Sequence, residues 1–188
     1  MQIEAPQDPH ELIILAKKGD RVAFEKIYKL YFTPVYRYIF LRVKDKSEVE
    51  LLVQDVFIKF YQSLESYTQQ GATPLPFFFT IARNTIIDYW RKNRHQVTFG
   101  KEDIFVQIPD KEDNPQESSE KIELTAILYK GVNTLSQEQR EAITLKYWSF
   151  ISNKEIAKIM GKTEEAVRQL QSRGIKSLRQ ILIDLNQS

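Results

Sequence analysis

The sequence predicts an all-α protein: two small helical domains joined by a flexible acidic linker, the C-terminal one a helix-turn-helix. Three observations carry this. Apolar residues recur at three- and four-residue spacing through nearly every ordered stretch, which is the period of an amphipathic helix. Only six glycines interrupt 188 residues. The charge alternates along the chain: residues 1–96 and 122–188 each carry three more basic than acidic side chains, whereas 97–121 carry four more acidic than basic. The domains are therefore placed at 1–96 and 122–188, with 97–121 between them.

Glu11 to Lys18 form a short first helix that Gly19-Asp20 stops. Val22, Phe24, Ile27, Tyr28, Tyr31 and Phe32 then make an apolar stripe. Pro34 lacks an amide hydrogen and crowds the preceding turn, so a kink or restart is expected before Val35 to Val43. Ser47 with Glu50 has capping-box spacing and opens a helix whose inner face is Leu52, Val53, Val56, Phe57, Phe60 and Leu64, ending near Tyr67. Thr68 to Pro76, with Gly71, Pro74 and Pro76, reads as a loop, and Phe77 to about Asn93 as a helix with an aromatic start and a basic end.

Pro109 to Pro115, rich in acidic side chains, has the composition of a linker, although Ile104, Phe105 and Ile108 break its polarity. A helix is expected around Ile122 to Val132 and another from Ser136, with Gln139 as its capping partner. Ser152 and Glu155 repeat the capping spacing and start Asn153 to Met160; Gly161 ends that helix and Thr163 caps the next. On the wheel from Val167, Leu170, Gly174, Leu178, Ile181 and Leu185 share one side, and Arg168, Gln169, Ser172, Lys176 and Arg179 lie opposite.

In a helix-turn-helix the amino-terminal end of the second helix enters the major groove. That makes Thr163, Glu164, Arg168, Gln169 and Ser172 the base-facing candidates and Arg173, Lys176 and Arg179 the phosphate holders. The competing explanation is a charged, solvent-facing helix. In the N-terminal domain, Tyr67, Phe77, Phe78, Phe79, Tyr89 and Trp90 surround a loop and the cations Arg83, Arg91, Lys92 and Arg94. Phe57, Phe60 and Trp90 are assigned to the core, while the surplus near the loop has the chemistry that stacks single-stranded bases above a cationic track. Gln54 and Asp55 interrupt an apolar helix among Leu51, Leu52 and Ile58, which makes a docking spot if they are exposed, although such a pair taken alone more often marks a solvated face.

The chain has no cysteine, so disulfides, thiol catalysis and cysteine-ligated zinc are excluded. His10 and His95 are far apart and without acidic clusters, so no metal or other cofactor is expected. No nucleophile-base pair or phosphate loop marks an enzyme. Met1 to His10 is polar and does not read as a secretory signal, and no window approaches the ~20 apolar residues of a membrane span. The expectation is a soluble cytoplasmic protein without membrane insertion.

These residues resemble the bacterial RNA polymerase sigma factors of the small, two-domain extracytoplasmic-function type. Val49-Glu50-Leu51-Leu52-Val53-Gln54-Asp55-Val56-Phe57 is similar to the segment that docks on the polymerase clamp, which implies contacts by Leu52, Gln54, Asp55 and Phe57. Pro76 to Asn84 with Ile87-Asp88-Tyr89-Trp90-Arg91 is similar to the promoter-melting segment, which implies −10 contacts by Phe77, Arg83, Asn84, Asp88, Arg91 and Lys92. Leu135 to Arg140, Lys154 to Ala157 and Val167 to Leu170 are similar to the −35-reading domain, which implies roles for Thr163, Glu164, Arg168, Gln169, Ser172, Arg173 and Lys176. The chain departs from the family at Leu51, where an acidic residue is common, at Phe77, where tryptophan is common, and at Phe150, where glycine usually stands.

The resemblance implies core polymerase and promoter DNA as partners, an anti-sigma factor as a further one, and opening of the −10 duplex as the function. It also implies that the acidic linker threads toward the polymerase cleft. Two other functions compete: a helix-turn-helix regulator that acts without polymerase docking, and a sigma-like adaptor that sequesters an anti-sigma factor, against which the cationic Arg168, Arg173 and Lys176 argue.

Overall fold

The computed structural model describes residues 8–43, 45–69, 73–93, 127–128 and 131–186, and no strand occurs among them. The chain divides into two compact units, residues 1–97 and 98–188. Ile104, Phe105, Ile108 and the whole expected linker lie outside the described residues.

The first unit holds four helices: α1 (Pro9–Lys17), α2 (Arg21–Phe40), α3 (Lys46–Gln62) and α4 (Leu75–Lys92). Asp8 caps α1 by accepting from the His10 amide, and Pro9 occupies a position whose amide would have no helical partner. Gly19, at φ 88°, turns the chain so that Asp20 can cap α2 through the amides of Val22 and Ala23. Of the expected kink or restart at Pro34, the restart does not occur. α2 runs through it for 20 residues, with Ile27 and Tyr31 buried before the proline and Val35, Tyr36, Tyr38, Ile39 and Phe40 after it. Core packing on both sides offsets the lost hydrogen bond and the ring's clash, which together cost about 3 kcal/mol in an unsupported helix.

α3 is capped two residues earlier than the Ser47–Glu50 spacing predicts. The Asp45 carboxylate accepts from the amides of Ser47 and Glu48 and from the Ser47 hydroxyl, and these bonds hold its pKa below the usual carboxylate value. A carboxylate is the stronger acceptor at a helix start, so Asp45 displaces the serine. α3 ends at Gln62, and residues 63–66 form tight turns that reach Tyr67. α4 begins at Leu75 with Pro76 in its first turn, so the expected loop is two residues shorter.

Phe78 centres the core, with the rings of Phe60, Tyr31 and Phe57 at 4.1, 4.7 and 5.4 Å and Phe79 against Tyr38 at 4.9 Å. The Tyr67 hydroxyl and His10 Nδ1 share a 3.0 Å hydrogen bond, and Lys17 donates to the Tyr67 carbonyl at 2.7 Å. These two contacts fasten α1 to the chain that leaves α3.

Among the described residues, the second unit starts with helical residues 127–128 and 131–134. It continues through α5 (Gln137–Ile143), a π-helical turn (Thr144–Trp148), α6 (Asn153–Met160) and α7 (Glu164–Asn186). Both predicted capping boxes form, Ser136 with Gln139 and Ser152 with Glu155. Gly161 closes α6 at φ 64°, and the Thr163 hydroxyl accepts from the Ala166 amide at 3.2 Å. The Arg140 guanidinium donates to the carbonyls of Val132, Asn133 and Leu135, satisfying the open end of the preceding helical residues. Phe150 is 88% exposed and has a positive φ of 54°.

Candidate polymerase and nucleic-acid interfaces

The outward side of α3 is a ridge. Leu51 and Ile58 are 59% and 56% exposed, and Gln54 and Tyr61 lie between and beyond them at helical spacing. Exposed apolar side chains around one amide match the makeup of a protein-docking patch. Asp55 is half-buried beside the ridge and pairs with Lys59 at 2.8 Å. Leu52 and Phe57, expected as docking contacts, are instead 8% and 4% exposed. They fall on the inward stripe with Val53, Val56 and Phe60, and the Phe57 ring packs on Tyr28 and Phe78. They carry the helix from beneath.

On α4, Thr80, Asn84, Ile87, Arg91 and Lys92 are exposed, and Arg83, Asp88, Tyr89 and Trp90 are half-buried. Asp88 and Arg91 pair at 2.9 Å across the surface. An exposed pair of this kind contributes about 0–1 kcal/mol, so Arg91 can exchange it for a phosphate. Only part of the aromatic surplus near the loop reaches the surface. Phe78 and Phe79 are fully buried, and Tyr67 is buried under the Phe77 ring, which meets it edge-on at 5.2 Å. Phe77 is half-buried, and Trp90, assigned to the core, is half-buried as well. Consecutive aromatics at a helix start point around the axis in different directions, so proximity to a loop did not distinguish core from surface.

On α7, Thr163, Arg168, Gln169, Ser172, Arg173, Lys176 and Arg179 are exposed and Glu164 is half-buried. On the packed side of the wheel Val167 and Gly174 are buried, and Leu170, Leu178 and Ile181 are half-buried. Arg168 lies between two carboxylates, 3.9 Å from Glu164 and 3.6 Å from Glu165. Gln171 escaped the wheel reading: it is 7% exposed and donates to the Asn153 side chain at 3.1 Å, joining α7 to α6. Its position, four residues after Val167 and three before Gly174, was the available signal.

A second residue that sequence reasoning missed is Lys59. Besides its pair with Asp55, it donates to Thr85 of α4 at 3.0 Å. The four-residue step from Asp55 made half of that contact legible. Among the described residues, no group of three His, Cys, Asp or Glu side chains is arranged to hold a metal, and no helix is long and apolar enough to cross a membrane.

Comparison with known proteins places families on both units. The Sigma-70 region 2 family matches residues 27–96, and the Sigma-70 region 4 family matches residues 132–180. The chain is 32% identical over 176 residues to the ECF RNA polymerase sigma factor BldN of Streptomyces coelicolor, covering 93% of this chain and 66% of that protein. It is 30% identical over 159 residues to the ECF RNA polymerase sigma factor SigX of Bacillus subtilis, covering 83% of this chain and 81% of SigX. The solved sigma factor RpoE of Bartonella quintana, in complex with the anti-sigma factor NepR, is similar with a TM-score of 0.70 and 25% identity, covering 85% of this chain and 96% of that one. A chain with this all-helical architecture, these two matched regions and SigX as a relative over most of its length belongs to the extracytoplasmic-function sigma factors of bacterial RNA polymerase.

Proposed function

We propose that the chain docks on core RNA polymerase through the α3 ridge, grips the −35 duplex with α7 and captures opened −10 DNA along α4. The observation that carries this is the outward row Arg168, Gln169, Ser172, Arg173 and Lys176 on the longer helix of a capped helix-turn-helix. A row of donors and cations with its back on a packed core is what phosphates and base edges require. Thr163 and Glu164 lead the same helix and face the groove first. On α4, Asn84, Arg91 and Lys92 offer exposed polar contacts to the −10 strand, with Arg83, Asp88 and Phe77 at their edge.

Docking uses Leu51, Gln54 and Ile58, with Asp55 at the margin. The chain thereby supplies binding energy for strand separation and no covalent chemistry; loss of stacking costs a few kcal/mol that capture of an unstacked base offsets. This work takes place in the cytoplasm. An anti-sigma factor is a further partner: NepR is bound to the Bartonella quintana relative, and a regulator of that kind would act by covering the α3 ridge.

Run-off transcription with core polymerase on a genomic library tests the reading. Promoter-dependent transcripts are expected from the native chain. They should be lost with Ile58→Glu, which puts a charge into the docking ridge without touching the core. Silence of the native chain with competent core overturns the assignment.

A further inference from the structure

We propose that Lys59 and Thr85 form the pin that holds the DNA-reading helix α4 at a fixed angle against the polymerase-docking helix α3, so that docking presents α4 correctly to the −10 strand. The inference rests on the docking and −10 assignments above and adds the residues that connect them.

One ammonium has polar partners on both helices. The Lys59 ammonium contacts Asp55 Oδ2 at 2.8 Å on α3 and donates to Thr85 Oγ1 at 3.0 Å on α4. Thr85 is 2% exposed, in an interface otherwise made by apolar groups such as Phe60, Phe78, Ala82 and Ile86. Apolar side chains resist separation of the two helices but tolerate rolling of one on the other, because their contacts are not directional. A hydrogen bond is directional, and losing this one would leave the buried Thr85 hydroxyl without its Lys59 donor. Successive residues of a helix are separated by about 100° around its axis, so fixing Thr85 also fixes where its neighbours Asn84, Asp88 and Arg91 point. Asp55 orients the ammonium from the other side and is itself at the margin of the docking ridge. Lys59 and Thr85 are thus positioning residues: neither needs to touch DNA.

The test uses the full chain with core polymerase and a promoter recovered from the run-off library, with a fluorescent base analogue in the −10 non-template strand to read opening. Core affinity is measured by titration, and opening at saturating holoenzyme. Thr85→Val keeps the side-chain shape and removes the acceptor. It is expected to bind core like the native chain and to lower opening roughly fivefold or more, the range of coupling between contacting polar groups. Thr85→Ser restores the hydroxyl and is expected to restore opening. Lys59→Met is expected to lower opening similarly, and the Lys59→Met, Thr85→Val double variant to be no worse than the poorer single one.

Native-level opening by both Thr85→Val and Lys59→Met overturns the pin. So does a loss that multiplies in the double variant, or one that Thr85→Ser fails to restore. If Thr85→Val simply unfolds, thermal melting reveals it, and Lys59→Met, altered at a partly exposed site, then decides by the same opening measurement. Failure of the native chain to bind core or open the promoter would instead sink the assignments on which the pin rests.

Discussion

Gly174 lies so close to Ile143 that a Cβ added to it would stand 2.5 Å from Ile143 Cδ1 and 3.5 Å from the Gln139 Cβ. The glycine is what lets α7 press against α5, and Ile143 is fully buried with little room to withdraw. Gly174→Ala should therefore destabilise the C-terminal unit by about 1–3 kcal/mol, despite alanine's better helix propensity. Equilibrium denaturation of the full chain followed by a signal from Trp148 measures it. Shortening the opposing side chain with Ile143→Val should recover part of the loss, and a neutral or stabilising Gly174→Ala would show that the contact is looser than described.

Salt dependence separates the roles on α7. On the proposed reading Lys176 neutralises one phosphate, so Lys176→Ala should weaken holoenzyme binding to all −35 sequences alike and flatten the slope of log affinity against log salt by about 0.9. Arg168→Ala should cost about 1–3 kcal/mol on the preferred site and little on others, relaxing base preference. Competition assays over a panel of −35 variants read both. Equal losses on every sequence for Arg168→Ala would assign that side chain to the backbone instead.

The alkaline limb of stability should carry the signature of Tyr67. Burial, then the neighbouring Tyr31 and Asp8, push its phenol up to about 12 from an ordinary value of 10.0. The native state thus keeps the proton that the unfolded chain gives up. Stability from this group is fully present below pH 10.0, falls as pH rises and is lost by about pH 12. Tyr67→Phe removes the titration and the bond to His10 Nδ1. The variant should be less stable near neutrality yet lose less between these limits, as urea midpoints across the alkaline range would show. An unchanged pH slope would mean that other groups, such as Tyr31, whose phenol burial also raises, dominate.

What the sequence made legible was local. Ser136–Gln139, Ser152–Glu155, Gly161 and Thr163 were readable because each acts on amides or carbonyls within four residues of itself. The outward row on α7 followed from helical spacing alone. Non-local contacts were not readable. Pro34 is tolerated because residues from α1, α3 and α4 pack around α2, and no local rule counts those neighbours. Leu52 and Phe57 were expected at the docking surface because they lie in the segment that resembles the clamp-docking one, and a resemblance along the chain does not say which side of the helix each residue takes, since each step turns a side chain by about 100°. Gln171 and Thr85 show the same limit, since a polar residue inside an interface is recognised only when its partner, Asn153 or Lys59, is seen beside it.

Arg140 has a mechanical consequence. Its three bonds run backward to Val132, Asn133 and Leu135, bridging the serine-capped start of α5 that lies between. Tension arriving along the backbone from the amino-terminal side would meet a guanidinium clasp before it reached the first turn of α5. The C-terminal unit can therefore be tugged by whatever precedes it without beginning to unravel at its own doorway.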